Sequence, residues 1–184
     1  MLKKITYYIL FVALSLSFSA FSAEKTTGEY IDDATLSTQL ITKLTLSKEV
    51  SVADIKTNTF KRQVQLCGFV ENERQAKAAG RIAKSIKGVE KVYNFLIPRS
   101  TIKPKASTVG RYVDDTILTT NVKRELYNDP NISSGDISVE SYKGTVELCG
   151  FVDTPQQISR ALATTKSVDG VDDVINHLLA KNQL

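Results

Sequence analysis

Val64-Gln65-Leu66-Cys67-Gly68-Phe69-Val70 returns 82 residues later as Val146-Glu147-Leu148-Cys149-Gly150-Phe151-Val152, with one substitution. Val, Leu, Gly and Val alternate with Gln or Glu, Cys and Phe, and a period of two marks a β-strand. Shifted by 82 positions, residues 28–98 align with 110–180 without a gap, and 26 of the 71 positions are identical. The chain is a tandem duplication. Units of this size bury a limited fraction of their surface and are individually marginal, so each is expected to lean on the other or on a partner.

Upstream of the repeated strand, Asp32-Asp33 reads as a helix N-cap, and Leu36, Leu40 and Leu44 make one apolar stripe of an amphipathic helix. Asp114-Asp115 and Leu118, Val122, Leu126 repeat it. Adjacent carboxylates do not face one another on a helix, so capping explains each pair better than acid–base chemistry. A hairpin follows, turning at Lys61-Arg62 and at Lys143-Gly144. Downstream, Asn72 with Gln75, and Thr154-Pro155 with Gln157, open a second helix as capping boxes, and Gly88 and Gly170 stop it. Last strands are expected at Val89–Ile97 and Val171–Leu179. Each unit therefore reads α-β-β-α-β, an α+β class, with a small three-stranded mixed sheet and two helices packed on one face. Gly68 is expected to leave room for a close helix.

Residues 1–23 belong to neither unit. Lys3 and Lys4 precede an apolar stretch from Ile5 to Phe21, with Ala20, Ser22 and Ala23 before charged Glu24, the pattern of a cleaved signal peptide. The alternative is an uncleaved inner-membrane anchor; both export the repeats, and the expected location is the periplasm. Without Lys3 and Lys4, 22 basic residues face 20 acidic ones. That balance, with no basic helix or aromatic platform recognised, argues against nucleic acid. Residues 99–109 read as a semi-extended linker, with basic Arg99, Lys103 and Lys105 followed by Arg111. One histidine, His177, leaves no His pair for a metal, and no nucleophile elbow, phosphate loop or dinucleotide fingerprint is present. Neither an enzyme nor a cofactor is expected.

Val64-x-Leu66-x-Gly68-x-Val70 with Gly88-Val89-x-x-Val92-x-Asn94, repeated as Val146-x-Leu148-x-Gly150-x-Val152 with Gly170-Val171-x-x-Val174-x-Asn176, resembles the BON domain. Two such domains, at 28–98 and 110–180 behind a signal peptide, are similar to the osmotically inducible periplasmic protein Y family. The resemblance implies a role in envelope stress or integrity, with chaperone-like binding of unfolded or envelope proteins, or anionic phospholipid binding as its alternative. It supplies no catalytic residues.

Parity along the strands adds a question. Cys67, Phe69, Tyr93, Phe95, Cys149 and Phe151 lie on the side opposite the expected helices, where a half-solvated sheet should be polar. These six are the candidate interface or client face, covered by the other domain or by a bound client. If the faces meet around a pseudo-twofold axis, Cys67 and Cys149 approach each other. Export permits a disulfide there, while the plainer reading is two small buried apolar side chains. Lys123, Arg124 and Tyr127 on the second unit's first helix, with the basic linker, are the candidate lipid contact. Client identity and oligomeric state are not legible.

Overall fold

The computed structural model describes residues 27–103 and 114–184, with side chains from residue 32 onward. The leader expected at residues 1–23 lies outside these, as do Lys105 and Arg111 of the linker region. The first domain runs α1 (Thr27–Leu46), β1 (Lys56–Phe60), β2 (Gln63–Cys67), β3 (Phe69–Val70), α2 (Glu73–Lys84), β4 (Lys91–Asn94) and β5 (Ile97–Pro98). The second runs α3 (Asp115–Asn128), β6 (Ile137–Tyr142), β7 (Thr145–Val152), α4 (Pro155–Lys166) and β8 (Asp173–Ala180). In each, the hairpin pairs antiparallel and the last strand joins the other side of the central strand in parallel. A parallel neighbour needs a crossover, which α2 and α4 provide. Beyond Gly68 the first sheet continues as the short parallel pair β3–β5.

The leucine stripes do what their spacing predicts. Leu36, Leu40 and Leu44 pack with Val64, Leu66, Val70 and the Ala76–Ala79–Ala83 stripe of α2. Leu118, Val122 and Leu126 pack with Val146, Leu148, Val152 and Ala161. Burying a leucine side chain stabilises by about 2 kcal/mol, so these stripes hold the helices to the sheets more firmly than helix propensity does. Asn72 and Thr154 accept from the backbone N–H of Gln75 and Gln157, and each glutamine side chain reaches back to the N–H of Glu71 or Asp153.

Three local expectations need correction. The first helix begins at Thr27, five residues before Asp32, so that pair does not cap it. Asp33 instead accepts from the N–H groups of Lys61 and Arg62, both at 2.7 Å, clasping a turn whose residues sit at φ +46° and +63°. In the second domain the pair divides the work: Asp114 caps α3 through the N–H of Thr116, and Asp115 clasps Lys143 and Gly144. Gly68 makes room for no helix; a Cβ there would collide with the carbonyl of Asp54. The second helices end at Lys84 and Lys166, ahead of the glycines, whose φ of +102° and +93° turns the chain toward the last strand.

Candidate functional site

With both helices on one side of each sheet, the other sides meet. The contacts between them obey a pseudo-twofold relation in which residue i touches j of the other copy and j touches i, the rule of an isologous interface. Phe60 packs on Phe151 with centroids 5.6 Å apart, and the equivalent pair Tyr142 and Phe69 lies at 5.7 Å. Lys181 sits over Phe60, and its equivalent Arg99 over Tyr142. Lys56 pairs with Glu140 at 3.3 Å, while Asn58 accepts from Ser138 at 3.0 Å. Equivalent residues meet each other on the axis: Cys67 with Cys149, Cα atoms 6.5 Å apart, and Phe95 stacked on His177 at 4.2 Å.

The six residues singled out as an interface or client face therefore line the seam between the domains. Cys67 and Cys149 are 1% exposed, Phe69 and Phe151 4%, and Tyr93 and Phe95 half-buried. They form no exposed apolar surface for an unfolded client, because each sheet is the other's cover. The cysteines sit within the Cα separation that a disulfide requires.

The symmetry breaks where the repeated stretch differs. Glu147, 1% exposed, accepts from the N–H of Gly68 at 2.7 Å through one oxygen, and its other oxygen lies 2.8 Å from His177 Nδ1. Its counterpart Gln65, fully buried, donates to the carbonyls of His177 and Gly150 at 3.2 and 3.4 Å. Burial pushes the Glu147 carboxyl above the usual carboxylate range, with the hydrogen bonds from His177 and Gly68 opposing it. Sequence reasoning did not single out this pair. The signal was present: Gln65/Glu147 is the one difference inside the repeated strand, and Phe95/His177 is a difference in the neighbouring strand.

Lys123, Arg124 and Tyr127 are brought together at a groove of about 450 Å³ between α3 and β6, floored by Leu126, Ile137 and Val139. Tyr127 is 76% exposed. Arg124 lies 3.5 Å from Glu125, an exposed pair worth little. The linker contributes less than expected, since Arg99 is held by Asp54 at 2.7 Å and covers Tyr142. At the equivalent place in the second domain, burial works against the charge of Lys181, but Asp136 and Asp153 outweigh it and raise its pKa. Among the described residues no helix is long and apolar enough to cross a membrane.

The sequence model of the BON domain matches residues 32–97 and 114–182. The chain is 34% identical to osmotically-inducible protein Y of Escherichia coli (strain K12) over 154 residues, covering 84% of this chain and 75% of that protein. It is 32% identical to the outer membrane lipoprotein DolP of Haemophilus influenzae, over 82% of this chain and 76% of that one. A 21 kDa hemolysin of Actinobacillus pleuropneumoniae is 24% identical over 82% of this chain and 75% of its own length.

Proposed function

The chain belongs to the BON-domain family, and from that premise we propose that it is a non-enzymatic periplasmic protein of envelope stress and integrity, docking to anionic phospholipid through its second domain. The observation that carries this reading is the α3 groove. Lys123 and Arg124 flank an exposed tyrosine above an apolar floor, which suits a headgroup and the region just beneath it. The first domain has Ile41, Thr42 and Thr45 at the equivalent positions, so folding does not require the cluster. Similarity to an outer membrane lipoprotein and to an osmotically inducible protein supports an envelope setting. Chaperone-like binding on the sheet faces has less support, because those faces are spent on each other.

Co-sedimentation with vesicles tests the proposal. Binding to vesicles containing phosphatidylglycerol should exceed binding to pure phosphatidylcholine and weaken with salt. At about 1 kcal/mol per basic residue, Lys123→Gln with Arg124→Gln should weaken docking through this groove roughly 30-fold. Absence of binding to the anionic vesicles at low salt would overturn the reading.

A further inference from the structure

The near-neutral total conceals an asymmetry between the halves. Residues 28–98 carry eleven Lys and Arg against eight Asp and Glu, whereas residues 110–180 carry six against eleven. Much of the first domain's excess lies on one helix. Arg74, Lys77, Arg81 and Lys84 recur at spacings of three, four and three along α2, and all are exposed. That spacing puts them on one face, a row about 15 Å long at 1.5 Å per residue, which Lys87 extends. A basic helix is therefore present, contrary to the expectation drawn from composition.

The fold does not ask for this row. The equivalent positions on α4 are Gln156, Ser159, Ala163 and Lys166, followed by Asp169, and that helix packs on its sheet in the same way. Nor does the helix dipole account for it. Arg81 and Lys84 gain from the C-terminal end of α2, but Arg74 lies in the first turn, where a cation is disfavoured. Local ion pairs neutralise part of the row, Lys77 with Glu73 at 3.4 Å and Arg81 with Glu49 at 3.0 Å, both exposed and cheap to exchange.

Beside the row, α1 and α2 bound a groove that includes Lys43, Arg81 and Leu46. Leu46 is 77% exposed, and Lys43 reaches over to Ser85. An extended line of cations fits a plane of phosphates better than a single phosphate, which would need converging groups. An adjacent exposed leucine suits an acyl boundary and serves no purpose toward a soluble polyanion.

We propose that the outward face of α2, with the exposed end of α1, is a second docking surface for an anionic phospholipid leaflet. The order of layers is helices, sheet, sheet, helices, so this surface and the α3 groove belong to opposite helical layers. The protein can thus engage two leaflets at once. Docking by α2 stands by itself, while the bridging of two leaflets rests also on the reading of the α3 groove.

The test uses the full protein with two vesicle populations containing phosphatidylglycerol, one dye-labelled and one sucrose-loaded. Sedimentation of the dye with the heavy vesicles reports bridging, and protein on either population reports binding. The variant Arg74→Gln/Arg81→Gln/Lys84→Gln should keep the wild-type circular dichroism spectrum and a cooperative melt, lowered by a few degrees at most through the lost dipole and Glu49 contacts. It should lose bridging while retaining single-population binding through α3, and its total partition should fall severalfold, since each basic residue contributes about fivefold. Lys123→Gln/Arg124→Gln should also lose bridging and retain binding through α2. If that variant behaves as wild type while the α2 variant no longer binds, the α3 reading fails and the α2 surface stands. Wild-type binding and bridging by the α2 variant would overturn the proposal. So would loss of self-association with unchanged vesicle binding, which would assign the row to the acidic half of a second copy.

Discussion

His177 Nδ1 lies 2.8 Å from Glu147 Oε1 in the seam between the domains, and the ring that stacks on it is Phe95, its own counterpart in the other copy. The carboxylate is closed off from water, and the titratable groups acting on it are His177 and Glu140, which pairs with Lys56. A carboxyl whose pKa is raised in the folded state binds its proton more tightly folded than unfolded. Its stabilising contribution is complete below the ordinary value of 4.5 and is lost as pH rises through the raised value. Glu147→Gln, which installs the residue found at position 65, removes this dependence. Its melting temperature should vary less than the wild type's over pH 4 to 8. Glu147→Ala should cost about 2 kcal/mol, because the Gly68 N–H is left buried without an acceptor. Thermal melts across the pH series check both; equal slopes for wild type and Glu147→Gln would refute the assignment.

A bridge between Cys67 and Cys149, 82 residues apart, would close a loop across the two domains. Thiol titration of the unfolded protein should find no free thiol before reduction and two after. On the chain-entropy argument, a bridge of that span stabilises by about 4 kcal/mol, and a reduced protein should melt correspondingly lower in denaturant. Two titratable thiols without reductant would restore the plainer reading of two small buried side chains.

Thr165 is fully buried in α4, and its hydroxyl has no hydrogen-bond partner. The first copy places Ala83 at the same point of the same packing. Thr165→Val keeps the shape and removes an unsatisfied polar atom, so it should stabilise by about 1 kcal/mol in urea denaturation. A loss of similar size would mean that the hydroxyl has a role the packing does not reveal.

What could be read from sequence follows the range of the interactions. The leucine stripes, capping boxes and repeated strand are local patterns with a fixed period, and each lies where its spacing put it. The duplication went further, because equivalent parity on two strands implied that two apolar faces must be covered. It could not say whether by each other or by a client, since that depends on how two rigid units dock. The Asp33 clasp was missed because its partners are 28 and 29 residues away, across a turn. The basic face of α2 is hidden for a different reason: the chain's net charge adds both copies together, and the acidic second domain offsets the first.

Gly68 and Gly150 hold the repeated strand at φ +122° and +142°, where side chains are rarely tolerated. The reason is a close approach. In each domain the backbone carbonyl just before the first strand, from Asp54 or Asp136, occupies the space a Cβ would fill. That carbonyl belongs to a short 3-10 turn packed against the central strand, so it cannot swing away as a flexible side chain would. Strain and collision together predict that Gly68→Ala and Gly150→Ala each cost about 3 kcal/mol. The two should differ in consequence. Gly68 also donates its N–H to Glu147 across the seam, whereas Gly150 offers its carbonyl to Gln65 through a longer bond of 3.4 Å. Gly68→Ala should therefore loosen the seam as well as its own domain, exposing Glu147 to faster hydrogen exchange at neighbouring amides of β7. Comparable exchange in β7 for both variants would show that the seam does not depend on the Gly68–Glu147 bond.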